Sequence, residues 1–539
     1  MTEKNLWYKN ALFYQIYPRS FYDSNGDGIG DFNGITQKLD YIKNLGTDCI
    51  WMMPTYPSPL KDDGYDISDF YGVYPQLGTL DEFKHLIDEI HARGMRIIMD
   101  LVLNHCSDQH PWFQAARKDR NSKYRDYFVW SDTDKKWPET RIIFVDSQKS
   151  NWTWDEEAGQ YFWHRFYPSQ PDLNYDNPEV REEMKNVMRH WMKLGIDGFR
   201  ADAVPYLFER DHTTNENLPE THAYLKECRK LMDEEFPGAI LLCEANMWPK
   251  DVRPYFGDGD EFQLGFHFPL MPRIYKSIGK QNAESLVKIL KDTPAIPDNC
   301  QWCTFLRNHD ELTLEMVTEE DRQWMWKFYA PDPAMKCNLG IRRRLWPLLD
   351  NDRRKVFLAY SLLFTLPGSP VMYYGDEIGM GDNIKLFDRN GVRTPMQWNA
   401  DKNGGFSTAD KTYFPAITDP VYGYQKINVE AEEKDADSNL NCIRKLVSIR
   451  KNDEALSFGK LNWLTDGDEI PVLAYDRISE HETVRVIENM TDKRQEFSCS
   501  FEAGTWCDLL NSEKKIMGNK FEKIELEPYQ FLWLSNISR

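Results

Sequence analysis

Short apolar runs and amphipathic helical stretches alternate through the first two-thirds of the chain, and few folds accept that pattern. The runs are LFYQI (12–16), DCIWMMP (48–54), MRIIMDLVL (95–103), IDGFRADAV (196–204), AILLCEA (239–245), EFQLGF (261–266), CTFLRN (303–308) and PVMYY (370–374). Runs of this length and composition read as strands. Between them lie helices such as TLDEFKHLIDEIHARG (79–94), which brings Leu80, Phe83, Leu86, Ile87 and Ile90 onto one face, and PEVREEMKNVMRHWMKLG (178–195). Strand and helix repeating eight times predict an α/β fold, a (β/α)8 TIM barrel built from residues 1–103 and 178–455.

The connections are uneven. Residues 104–177, rich in Trp, Tyr and Asp, are too long for a simple βα loop and predict a subdomain inserted after the third strand. Two further excursions, about 311–352 and 376–440, follow the seventh and eighth strands and predict a lid. From about 456 to 539 short alternating strands such as VLAYDRI, TVRVIEN and KIELEPYQFLWL predict a C-terminal antiparallel β-sandwich.

Several function classes drop out. A formal charge of -20 argues against a nucleic-acid partner or an anionic membrane. The longest apolar run, VFLAYSLLFTL (356–366), is too short to span a bilayer and reads as a buried helix. The N-terminus MTEKNLWYKN lacks the basic-then-apolar order of a signal peptide. Ten cysteines are scattered, and the single C-x-x-C, Cys300 and Cys303, has no second pair to complete a zinc site. The expected compartment is the reducing cytoplasm. The 18 Trp and 27 Tyr include rings that can pack on sugar faces, although most belong to the core. Self-association into a homo-oligomer is left open.

Charged residues gather at strand ends. Asp100, Asn104 and His105 end the third strand in DLVLNH, and Arg200 and Asp202 end the fourth in GFRADAV. Glu244 ends the fifth in LLCEAN, and His309 and Asp310 follow the seventh in FLRNHDE. One such carboxylate is more often a cap or a surface ion pair. Four clusters on the C-terminal rim of one barrel point to an active site. Three carboxylates around one pocket suit glycoside cleavage, with a nucleophile, a proton donor and a stabiliser of the oxocarbenium-like transition state. Arg200, two residues before Asp202 on the same strand face, can orient that nucleophile. Glu244 as the acid must rest protonated, so burial and like-charge neighbours are expected to raise its pKa.

DLVLNH, GFRADA, the Glu of LLCEAN and FLRNHDE resemble the four signature regions of the α-amylase superfamily of glycoside hydrolases, and QPDLNYDNP (170–178) and GSPVMYYGDEIGM (368–380) resemble its accessory regions. The resemblance implies Asp202 as nucleophile, Glu244 as general acid/base and Asp310 as transition-state stabiliser. It implies that Arg200, His105 and His309 contact the transferred glucose or hold Asp202. It also implies that Asp62 and Tyr65 in KDDGYD line the pocket, and that Arg393 in GVRTPMQW pairs with Asp62 behind the sugar. The QPDLN form is similar to that of oligo-1,6-glucosidases, which act at chain ends.

TNENLPETH (214–222), EANMWPKDV (244–252) and NLGIRRRLWPLLDNDRRK (338–355) resemble the branch of that superfamily that rearranges maltose into trehalose. The implied partner is a small disaccharide, maltose or trehalose. A helical reading of the last stretch makes its five arginines a solvated basic face. Hydrolysis of short α-glucosides, sucrose isomerisation, and a catalytically dead binding barrel are the alternatives.

In DSNGDGIGD, Asp23, Asn25 and Asp27 alternate, Gly28 permits a sharp turn, Ile29 offers a carbonyl and Asp31 another carboxylate. An EF-hand needs Glu at the twelfth position, which here is Gly34. The expectation is a structural Ca²⁺ or Mg²⁺ on those five residues, against a metal-free Asx-rich turn. The resemblance implies a second structural calcium held by the Asn104, Asp172 and Glu209 side chains and the Tyr206 and Leu207 carbonyls. No organic cofactor is expected.

Overall fold

The computed structural model describes residues 3–511, 515–518 and 521–537. Eight parallel strands close into a barrel: β1 (Phe13–Ile16), β2 (Cys49–Met52), β3 (Arg96–Val102), β4 (Gly198–Asp202), β5 (Ile240–Cys243), β6 (Leu264–Phe266), β7 (Gln301–Phe305) and β8 (Ser369–Tyr373). All eight coincide with the runs read from the sequence. Each is walled by helices outside, so its residues are buried on both faces and no alternation survives. Helix Leu80–Ala92 starts at a capping box in which Thr79 and Glu82 satisfy each other's backbone N–H, and it buries Phe83, Leu86, Ile87 and Ile90. Helix Pro178–Leu194 begins on an Asn177 cap and ends at Gly195 with φ 110°. The apolar run near 356–366 lies in helix Arg353–Thr365, buried as expected. Among the described residues no helix is long and apolar enough to cross a membrane.

Strand register assembles the rim. Asp100 of β3 lies opposite Arg200 of β4, and Val102 lies opposite Asp202. Ala201 pairs with Cys243 of β5, which sets Asp202 beside Glu244 one residue farther up. Residue Ala203, just past the end of β4, takes φ 53°, a conformation that L-residues adopt at a cost of about 1–2 kcal/mol. The chain turns sharply there, directly after Asp202.

Between β3 and helix Pro178–Leu194, three short strands (Trp130–Ser131, Trp152–Asp155 and Gln160–Trp163) form an antiparallel sheet. It is held to the barrel by bridges from His105 to Asp172 and from Phe128 to Leu173. Downstream, a six-stranded sheet and a two-stranded sheet enclose a second core that includes Val472, Ile487, Trp506 and Leu532. Residues 512–514, 519–520 and 538–539 of the 456–539 region lie outside the described residues.

The helical reading of 338–355 is corrected. Gly340–Ile341 is a strand between Leu312–Thr313 and Lys336–Cys337, and only Leu345–Leu348 and the stretch from Arg353 are helical. Arg342 donates to the Ala334, Leu386 and Asp388 carbonyls, Arg343 pairs with Asp382, and Arg344 pairs with Asp376. These three arginines fasten the excursion after β7 to the one after β8. Arg353 and Arg354 at the helix start are the exposed ones.

Candidate active site

Arg200 is the hub of the rim. Its guanidinium is 1% exposed and binds Asp202 at 2.6 Å, while also contacting Asp100 and Glu244. Asp100 is steadied from behind by the Trp51 indole N–H at 2.9 Å. Three strands thus share one cation, and the register described above makes that sharing unavoidable.

The carboxyls differ in their surroundings, and so in their protonation. Burial pushes Glu244 up to about 8, with Asp202 and Asp310 adding to the rise and Arg200 opposing it. A hydrogen bond from the Glu244 carboxyl to Asp202 fits that state. Asp202 is also raised by burial, less far, because Arg200 and that hydrogen bond favour its charge. For Asp310 burial acts upward too, yet the His309 ring N–H and the Arg389, Arg393 and Arg200 guanidiniums together hold it well below the ordinary carboxylate range. One acid is kept neutral and one carboxylate is kept ionised within the same cavity.

Asp202, Glu244 and Asp310 line that cavity together with Asp62, Tyr65 and His105. Arg200, His309 and Arg393 lie beneath it, each 1% exposed. The Tyr65 ring stacks on His309 at 5.5 Å, and its hydroxyl meets His309 Nε2 at 2.8 Å. Gln15 Nε2 lies 2.7 Å from His309 Nδ1, so the neutral ring carries its proton on Nε2, which is 3.1 Å from Asp310. Burial keeps both histidines neutral, His105 falling to about 3 and His309 well below its usual value. Gln170 of the QPDLN motif donates to Asp62 at 2.9 Å and contacts His105 at 3.2 Å.

Arg393 does not pair with Asp62. It binds Asp63 at 3.0 Å and Asp310 at 3.2 Å and donates to the His309 carbonyl. The partner of Asp62 is Arg389, at 2.8 Å, which also reaches Asp310 at 2.8 Å. The sequence RNGVR carries both arginines in an irregular loop, where no periodicity shows which one faces the pocket. Asp100 and Asp63 act as anchors for Arg200 and Arg393. Their only sequence signal is position: a strand end and the acid next to Asp62.

The mouth of the cavity is bridged. Arg141 of the inserted subdomain binds Glu216 at 2.8 Å and Glu315 at 3.1 Å, and Asp146 accepts from the Asn338 backbone at 2.7 Å. Glu315 belongs to the excursion after β7 and lines the cavity, so the inserted subdomain and that excursion meet beside it.

The two expected cation sites differ. Asn104 Oδ1, Asp172 Oδ2 and Glu209 Oε1 are all buried with no hydrogen-bond partner, and burial pushes Asp172 up to about 8. The neighbouring Asp172 adds to the rise that burial causes at Glu209. Three orphaned oxygens from separate segments form a donor set that fits a hard cation. In the 23–31 loop, Asp23 accepts the N–H groups of Asn25, Gly26 and Gly28 and the Ser407 hydroxyl. Asp31 accepts from Ser24 and caps helix Phe32–Gln37. Asn25 and Asp27 each accept one backbone N–H, from Asp27 and Ile29. Gly28 (φ 93°) packs so tightly that a Cβ would lie 2.2 Å from the Lys411 carbonyl. This loop satisfies its own oxygens, and among the described residues no three His, Cys, Asp or Glu side chains converge as a metal cluster.

A model of the alpha amylase catalytic domain matches residues 15–330 and 342–459, most of the chain. The chain belongs to the alpha-amylase family. Within that family it resembles the trehalose synthase/amylase TreS of Mycolicibacterium smegmatis, 57% identical over 482 residues, covering 88% of this chain and 81% of that protein. A trehalose synthase of Thermus thermophilus is 51% identical over 502 residues, covering 92% of this chain and 52% of its own length. Among solved structures, the trehalulose synthase MutB matches with a TM-score of 0.80 at 30% identity, covering 98% of this chain and 100% of that one. The trehalose-6-phosphate hydrolase of Bacillus licheniformis matches at 0.79 with 27% identity, covering 98% and 99%. The alpha-amylase barrel and its C-terminal β-region thus extend over the whole chain.

Proposed function

We propose that the protein converts maltose and trehalose into one another by retaining, intramolecular glucosyl transfer. The observation that carries this reading is a carboxylate trio in one pocket, with Arg141 of the inserted subdomain bound to Glu315 at its edge, in a chain more than half identical to several trehalose synthases. Asp202 attacks the anomeric carbon while Glu244 donates its proton to the glycosidic oxygen, giving a β-glucosyl ester and free glucose. Asp310, held ionised, offsets the positive charge of the transition state. The released glucose turns within the closed pocket. Its anomeric hydroxyl then attacks the ester with Glu244 as base, forming the α,α-1,1 bond. One glycosidic bond replaces another, so no phosphate or nucleotide sugar is consumed. Retained glucose has a high effective concentration beside the ester, and water that reaches the ester causes minor hydrolysis.

Asp62 fixes the far end of the transferred glucose under Arg389, Tyr65 packs on its face, His105 donates or accepts at its hydroxyls, and His309 holds Tyr65 and Asp310 from beneath. Asn104, Asp172 and Glu209, with the Tyr206 and Leu207 carbonyls, hold a structural calcium that ties the inserted subdomain to the barrel. A second cation at Asp23, Asn25, Asp27, Ile29 and Asp31 binds more weakly, because its donors already serve the backbone.

Purified protein given maltose should accumulate trehalose as the main product, with glucose as a minor one. Glucose alone would make it an exo-acting α-glucosidase. Asp202→Ala and Glu244→Gln should each remove most of the activity while the circular dichroism spectrum stays native.

A further inference from the structure

A second cavity, of about 330 Å³ against about 140 Å³ for the catalytic one, lies on the other side of the Arg141 bridge. Glu315 and Asn246 line both cavities, so the two share a wall. Three sequence stretches singled out above, 214–222, 244–252 and 338–355, meet here. Glu216 and Asn217 come from 214–222, Trp248 and Asp251 from 244–252, and Leu339 from 338–355. By contrast, only Glu244 and Asn246 of those stretches reach the catalytic pocket.

We propose that this second cavity is an outer sugar site, which takes a glucopyranosyl unit of a neutral disaccharide before the Arg141 bridge parts to admit it. The inference rests on the glucosyl-transfer reading for its choice of substrate. The lining has the mixed character a pyranose requires. Trp248, Met316 and Leu339 offer apolar surface to the ring faces, and Asn217, Asp251 and Glu216 offer acceptors to the hydroxyl rim. Arg273 lies 5.2 Å over the Trp248 ring and holds the indole in place. Asn246 donates to Thr313 at 3.1 Å, while its own Oδ1 is buried without a partner.

The test begins with binding. Asp202→Ala protein is titrated with labelled maltose by equilibrium dialysis, and the same is done after adding Trp248→Ala. The proposal expects the second substitution to remove one equivalent of bound maltose, and an unchanged stoichiometry overturns it. In the active protein, Trp248→Ala should lower kcat/KM for maltose about tenfold, about 1.4 kcal/mol. α-Glucosyl fluoride has no sugar to place outside the inner pocket, so its kcat/KM should hold within about twofold. Equal losses on both substrates contradict the outer site. A native protein that makes no trehalose yet loses one equivalent of maltose with Trp248→Ala would sink the isomerase reading and leave the outer site standing.

Discussion

Arg389 donates to Asp62 through Nη2 at 2.8 Å, and its other terminal nitrogen reaches Asp310 at the same distance. One guanidinium therefore fixes both Asp62 and Asp310. Removing it leaves buried Asp62 without its cation and leaves Asp310 to Arg393, and breaking a buried pair costs about 3–5 kcal/mol. Arg389→Ala should lower kcat/KM on maltose on the order of 10²-fold. Arg389→Lys should recover little, since an ammonium lacks the fork that spans both acids. Steady-state kinetics on the two variants, with thermal melts to confirm folding, check this.

The pH profile follows from Glu244 and Asp202. The reaction needs Asp202 ionised and Glu244 protonated, and burial raises both. Activity should therefore rise through about pH 6 as Asp202 loses its proton. It should fall through about pH 8 as Glu244 loses its own. Because the two carboxyls share a hydrogen bond, both limbs belong to the pair. With α-glucosyl fluoride, whose leaving group needs no proton, Glu244→Gln should abolish the alkaline limb. A limb that persists in that variant assigns it to another group.

The Arg141 bridge makes a prediction about water. Arg141→Ala frees Glu315, leaves Glu216 to Arg165, and removes the bridge between the inserted subdomain and the excursion after β7. The ratio of glucose to trehalose formed from maltose should rise on the order of tenfold, while total maltose consumption changes less. Product chromatography over a time course reads both quantities.

The cation assignments separate under chelation. Three orphaned buried oxygens at Asn104, Asp172 and Glu209 call for a tightly held ion, whereas the loop at Asp23–Asp31 is already satisfied. Metal analysis after mild chelator treatment should find one retained calcium. Harsher stripping should then lower the melting temperature, each 1 kcal/mol lost shifting Tm by less than the roughly 2–4 °C typical of a domain of about 150–250 residues. Glu209→Gln should make the retained ion labile.

The barrel was legible because each of its strands is a short apolar run between long amphipathic helices, and every such run from Phe13 to Tyr373 became a strand. The carboxylates were legible because strand ends in a barrel share one rim. Pairings within irregular loops were not. Arg389 and Arg393 are four residues apart with similar neighbours, and only the folded path shows Arg389 facing Asp62 and Arg393 turned toward Asp63. The stretch 338–355 misled for a related reason. Its arginines match a helical surface, but Arg342, Arg343 and Arg344 are spent on carbonyls and acids of the excursion after β8. Contacts made across that distance leave no local period.

The measurement that bears most directly on the central claim is an isotope crossover. A mixture of fully ¹³C-labelled and unlabelled maltose is converted by the purified protein, and the trehalose is weighed by mass spectrometry. If glucose stays in the pocket between the two chemical steps, the trehalose is fully labelled or unlabelled. Trehalose carrying one labelled and one unlabelled ring in statistical proportion would show that glucose escapes, and would contradict intramolecular transfer in a closed site.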